Sequence, residues 1–221
     1  FSWNYGKLKS KLIQNIIKVK MQDITYNITK ELKKNNIFEG KTDVIIADTG
    51  VKLMSKLHQL YSGTCILESG KSIILDKSKC IEIENRFKKN KIAIFYKYVA
   101  QLQSLKEVLK DKLTTDIDEF NNSDKWLACQ YIKYREGVNL SKADCLVMIE
   151  IDFSATTYFQ SRDRCTTKER LENNVFWIFG KNTIEQQIYK RVLAKKPYTL
   201  DNFKKENNVK VPKQDYKRIR G

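Results

Sequence analysis

The chain has 221 residues, 41% of them hydrophobic and 31% charged, enough to bury one good core with a smaller appendage. Its 42 Lys and Arg against 26 Asp and Glu leave a net charge of +16, an excess that attracts polyanions through counterion release. No apolar run approaches the roughly 18 residues of a membrane span, the amino end has no signal-peptide pattern, and neither the five dispersed cysteines (Cys65, Cys80, Cys129, Cys145, Cys165) nor the single histidine, His58, forms a CxxC pair or a metal-ligand spacing. Reduced thiols in a cytosolic protein are therefore expected, with Cys129 and Cys145 as small core hydrophobes. The chain begins at Phe1 without Met, so a fragment or a processed product is expected.

In chain order, helical patterns are expected over 7–20, 26–35, 48–61 and 77–89. Between the last two, TCIL and SIIL flank Glu68-Ser69-Gly70-Lys71, which reads as a β-hairpin near 64–75. Four apolar runs follow: IAIFY (92–96), WLACQYI (126–132), CLVMIEI (145–151) and VFWIF (175–179). They do not alternate with polar residues, as suits strands of a parallel sheet covered on both faces. Helical patterns separate them. Over 98–113, Val99, Leu102, Leu105 and Leu109 share a side. A second covers 156–165. A third covers 182–196, capped by Asn182 or Thr183 and stopped by Pro197. The basic stretch from 201 has little periodicity and is expected to be loosely ordered.

Strands alternating with helices indicate an α/β fold with right-handed crossovers. The expected organisation is a mainly helical segment over 1–88 carrying the hairpin, a parallel-sheet lobe over 89–200 flanked by helices, and a basic tail over 201–221.

LESGKS (67–72) ends like a phosphate-binding loop but does not meet its requirements. The pattern G-x-x-x-x-G-K-[ST] needs a glycine where Cys65 stands, and a helix after Ser72 where SIIL reads as a strand. Glu150 and Asp152, which could pose as magnesium carboxylates, then have nothing to complete, and strand-end solvation accounts for them.

The chemistry-bearing series begins at Gly137-Val138-Asn139-Leu140 and continues through Ala143-Asp144 and Asp152-Phe153-Ser154. It ends with Gln160 to Arg164 and Thr183-Ile184-Glu185. In order and spacing it resembles the carboxyl-terminal half of a superfamily 2 helicase motor, specifically Swi/Snf-like DNA translocases of compact phage type. KIAIFYKYVAQLQSLKEVL (91–109) looks like that lobe's first strand and helix, and KLMSKLHQLYSG (52–63) resembles the Leu-x-Gln-x-x-x-Gly segment between lobes. The resemblance covers about residues 45–200.

The resemblance implies a RecA-like second lobe that closes over ATP and Mg2+, both held mainly by an amino-terminal lobe, with no cofactor of its own. Arg164 matches the family's motif arginine. Thr167 stands where a second is usual, leaving Arg162 or Arg170 as substitutes. A guanidinium suits this role because phosphoryl transfer concentrates charge on the γ-phosphate oxygens. Gly137, Asn139 and Gln160 are implied in approaching the nucleotide; Lys97, Tyr98 and Arg135 in contacting a nucleic-acid backbone, DNA rather than RNA. No metal ligand and no membrane partner are implied, and the setting is the cytoplasm of a bacterial or phage-infected cell. The alternative from a different class is a non-enzymatic basic nucleic-acid-binding module, which would not need the series. A nuclease lacks a cluster of Asp, Glu and Lys at a strand end.

Overall fold

The computed structural model describes residues 11–40, 43–131, 140–156 and 172–208. Among them, six strands form one sheet, running from β1 (Lys11–Val19) through β10 (Glu172–Gly180), β9 (Cys145–Met148), β6 (Ile92–Tyr96) and β8 (Trp126–Gln130) to β7 (Leu113–Thr114), every neighbouring pair parallel. The central strands are β6, β8, β9 and β10, and β7 lies at one edge. The α/β class and the four strand runs expected from the sequence are all present.

Alternation of side chains across the pleat accounts for the continuous apolar runs. Ala93 and Phe95 of β6, Leu127 and Cys129 of β8, and Leu146 and Met148 of β9 enter one core with Val175, Trp177 and Phe179 of β10. Helices α1 (Asp23–Asn35), α2 (Gly50–Tyr61), α6 (Ile184–Leu193) and α7 (Leu200–Asn207) supply Leu32, Leu57, Ile188 and Phe203 to that side. Ile92, Ile94 and Tyr96 face the other way, into a core with Ala128, Val147 and Ile178. Helices α3 (Ser78–Arg86) and α4 (Val99–Leu109) close it with Ile83, Leu105 and Leu109.

Local signals set the helix starts. Thr49 accepts a hydrogen bond from the Lys52 amide at 3.2 Å, capping α2. Thr183 and Gln186 form a capping box on α6, and Thr199 caps α7 with Asn202. A short helix, α5 (Ile117–Asn122), begins at Asp116 in the same way.

The structure corrects the sequence reading at three places. Residues 7–20 were expected as helix, but Lys11–Val19 form strand β1, in register with β10 from Lys11↔Glu172 to Val19↔Gly180. Three isoleucines and a valine favour the pleat, and the exposed flank of an edge strand tolerates the polar residues between them. The mainly helical segment before residue 88 thus also supplies an edge of the sheet. The stretch after 200 holds α7, anchored by fully buried Phe203. Two short strands, β2 (Ile37–Glu39) and β3 (Val44–Ile46), form a hairpin that periodicity did not reveal.

The expected second hairpin is present: β4 (Thr64–Ile66) pairs antiparallel with β5 (Ser72–Ile74). Gly70 turns it at φ +82°. LESGKS is therefore a strand-to-strand turn and not a phosphate loop.

Candidate functional site

The carboxyl edge of a parallel sheet is where loops converge. Here β6 ends at Tyr96 and the chain turns through Lys97 and Tyr98 into α4. The turn has no Ser, Thr, Asp or Asn cap. Gln101 substitutes: its Oε1 accepts from the Lys97 amide at 2.9 Å and the Tyr98 amide at 2.8 Å. Its Nε2 donates to Glu150 Oε2 at 2.9 Å, fastening the turn to the chain that leaves β9.

Lys97 Nζ lies 2.8 Å from Asp152 Oδ2 and about equally far from the rings of Tyr98 and Phe153, 5.7 and 5.8 Å to their centroids. Asp152 Oδ1 accepts from the Ser154 amide at 2.9 Å, closing the Asp152-Phe153-Ser154 turn. The Lys97 charge and these hydrogen bonds outweigh burial and hold the Asp152 carboxyl below its ordinary value. Lys97, expected as a nucleic-acid contact, is thus partnered, with its side chain still 31% exposed. Tyr98 is turned inward, its hydroxyl 3.0 Å from His58 Nδ1, and burial pushes its phenol upward.

Glu150 departs from expectation. It is not a solvated strand-end residue but 1% exposed, between Ile149 and Ile151. His58, for which the sequence offered no partners, is fully buried beside it, with Nε2 2.7 Å from Ile151 O and Nδ1 3.3 Å from Glu150 Oε1. The missed signal is local: a Glu inside the run CLVMIEI, and a His inside the apolar face of α2.

Two other members of the series have structural roles. Glu185 is fully buried, its Oε1 2.6 Å from Lys79 Nζ of α3 and its Oε2 accepting from the Gly180 amide at 2.7 Å. Lys79 also donates to Ile149 O at 3.1 Å, so Thr183-Ile184-Glu185 ties α3 and α6 to the sheet. Asp144 accepts from the Lys91 amide at 2.6 Å and returns its own amide to Lys91 O, joining β9 to β6 at the amino edge.

Arg135, Gly137, Asn139, Gln160, Arg162, Arg164 and Arg170 lie outside the described residues, as does most of the expected helix over 156–165. Among the described residues no group of three or more His, Cys, Asp or Glu side chains is placed to hold a metal, and no helix is long and apolar enough to cross a membrane. The β4–β5 turn offers nucleotide phosphates no strand-to-helix cradle.

No family model matches the chain. Among curated proteins, Protein CHROMATIN REMODELING 19 of Arabidopsis thaliana is 30% identical over 100 residues, 44% of this chain and 13% of that protein's length. The chain thus matches a small part of that much longer relative. Among solved structures, the C-terminal part of the Fun30 ATPase domain superposes with a TM-score of 0.55 at 16% identity, covering 87% of this chain and 92% of that one. The Sulfolobus solfataricus SWI2/SNF2 ATPase core superposes at 0.54 with 16% identity, covering 83% of this chain and 43% of that core. The same core in complex with dsDNA gives 0.56 at 17% identity, covering 84% and 44%. The fold is that of a RecA-like lobe such as SWI2/SNF2 ATPase cores contain.

Proposed function

We propose that this chain is the second motor lobe of an ATP-dependent DNA translocase, acting with an ATP-binding lobe that is not among these 221 residues. The observation that carries the reading is the coincidence of two independent results. The ordered series from Gly137 to Glu185 resembles the second lobe of Swi/Snf-like motors, and the chain's fold covers 92% of the C-terminal part of an ATPase domain. A basic module of another class would need neither.

In this reading ATP, held with Mg2+ mainly by the partner lobe, supplies the γ-phosphoryl group whose transfer to water drives the motor. Arg164, with Arg162 or Arg170 in support, presents a permanently charged guanidinium to the phosphates on closure. Gly137 and Asn139 are the residues this reading brings near the nucleotide, glycine permitting a close approach, and Gln160 joins them four residues before Arg164. Lys97 and Arg135 are the DNA-backbone contacts of this reading, where phosphate contacts carry no sequence information and so suit tracking, while Tyr98, its hydroxyl on His58, holds the turn from inside. Asp152 holds Lys97 in place until a phosphate oxygen competes for it. Because the arginine acts only when the lobes are closed, hydrolysis is coupled to lobe motion. The dsDNA bound to the Sulfolobus core supports DNA as the track.

The test is Arg164→Ala in the full-length protein. An arginine finger is typically worth ~10³–10⁵ in rate, so DNA-stimulated ATP turnover should fall by at least about 10³ while ATP binding is kept. Turnover within tenfold of wild type would place the finger elsewhere. The 221-residue chain alone should not hydrolyse ATP.

A further inference from the structure

The buried cluster under the Lys97–Tyr98 turn takes part in none of these steps, and its hydrogen bonds do not balance if Glu150 is ionised. His58 Nε2 lies 2.7 Å from Ile151 O. A carbonyl oxygen only accepts, so Nε2 carries the hydrogen, and in a neutral ring Nδ1 carries the lone pair. Tyr98 Oη at 3.0 Å can fill that lone pair but does nothing for Glu150 Oε1, which lies 3.3 Å from Nδ1. Oε1 is buried and has no donor of its own, while Oε2 is satisfied by Gln101 Nε2 at 2.9 Å. An ionised Glu150 would hold a bare negative oxygen against a lone pair in a dry site. A proton on Oε1 removes that bare charge, while Tyr98 Oη keeps the Nδ1 lone pair.

We infer that Glu150 keeps a proton at neutral pH beside a neutral His58, and that this uncharged pair positions the Lys97–Tyr98 turn through Gln101. The path is continuous. Gln101 grips Glu150 with its amide nitrogen and both turn amides with its oxygen.

The charged surroundings agree. Lys97 faces the pair from the turn, Lys79 from α3, Asp152 from the chain after β9 and Glu185 from α6. Cys65 of β4 faces Tyr98. Burial pushes the Glu150 carboxyl up to about 8 against the pull of Lys97 and Lys79, and pushes the His58 imidazole down to about 3. The 3.3 Å separation alone would suit an ion pair, but both displacements favour the uncharged forms, and two charges in this dry site would be costly.

The pH dependence follows. Between Glu150's unfolded value near 4.5 and about 8, the native state holds a proton that the unfolded chain has lost, so stability falls as pH rises. His58 acts oppositely between about 3 and 6.5, where the unfolded chain holds the extra proton. The two offset from 4.5 to 6.5. From 6.5 to about 8 only the loss remains, roughly 15-fold in the folding equilibrium as the native proton itself begins to leave near pH 8.

Glu150→Gln tests this, because an amide keeps the neutral shape of the protonated carboxyl and still accepts from Gln101 without titrating. The ratio of the wild-type to Glu150→Gln folding constants should fall by roughly 15-fold between pH 6.5 and 8; a flat ratio overturns the inference. His58 is the only histidine, so its ring nitrogens can be read directly by nitrogen-15 NMR in the wild type, whatever the variant does. The ring should remain neutral with hydrogen on Nε2 at pH 6–7; an imidazolium overturns the inference. The functional consequence rests on the motor reading. DNA-stimulated ATP turnover in the full-length protein should decline above pH 7 in wild type more than in Glu150→Gln. Identical profiles, with the NMR and stability results as expected, would count against the motor role of this edge and leave the proton assignment standing.

Discussion

Removing the Lys79 ammonium is the severest single test of how the amino-terminal segment is joined to the sheet. Lys79 and Glu185 have side chains only 2% and 1% exposed, and their charged atoms lie 2.6 Å apart. Lys79→Met keeps the length of the side chain and deletes both its bond to Glu185 and its bond to Ile149 O. Breaking a buried pair from one side costs about 3–5 kcal/mol, because the remaining charge is uncompensated. Glu185 retains the Gly180 amide and the Thr183 hydroxyl, and burial already pushes its carboxyl upward despite Lys79, which eases the loss of the ammonium. That places the cost near the lower end, about 3 kcal/mol. For a chain of this size, about 2–4 °C of melting temperature per kcal/mol gives a drop of about 6–12 °C. Thermal unfolding followed by circular dichroism measures it. The double variant Lys79→Met with Glu185→Gln should recover much of the loss, since the amide still accepts from Gly180 without a charge. A single-variant drop under about 2 °C, or a double variant as unstable as the sum of the two singles, would refute the reasoning.

Two glycines at similar positive φ should respond differently. Gly63 sits at φ +87°, and a Cβ there would lie 2.2 Å from the Asp76 backbone oxygen, so Gly63→Ala should cost on the order of 3 kcal/mol. Gly70 sits at φ +82° with nothing within 4 Å of such a Cβ, so Gly70→Ala should cost only about 1 kcal/mol of strain. Urea midpoints measure both, and equal losses would contradict the account. Lys97→Ala should change stability by less than about 1 kcal/mol, because its ion pair is partly exposed. In the full-length protein it should weaken DNA binding evenly across sequences and reduce the salt slope by about 1. An unchanged slope would mean that Lys97 stays with Asp152 when DNA is bound.

The sheet's central strands were legible because a parallel sheet is covered on both sides, which makes Ile92–Tyr96 and Cys145–Met148 unbroken apolar runs. Strand β1 was not. KLIQNIIKV places apolar residues at spacings that fit a helix as well as a strand, and its choice is made by β10, more than 150 residues away. The capping signals at Thr183 and Asp116 are local, whereas α7 is too short for periodicity and is announced mainly by Thr199 and Asn202. The hairpin reading of LESGKS held because the absence of a glycine at Cys65 is a local steric fact. The His58–Glu150 contact joins residues 92 positions apart, so only single-residue hints announce it. A Glu set between Ile149 and Ile151 and a His inside the apolar face of α2 were those hints, and strand-end solvation obscured the first.

The central claim is that this lobe works in a motor that moves along duplex DNA. Displacement of a third strand from a triplex by the full-length protein tests it most directly. The account predicts displacement that requires ATP and is lost in Arg164→Ala while DNA binding persists. Tight DNA binding with no ATP-dependent displacement by the wild type would contradict it, and would instead favour a basic module that only holds nucleic acid.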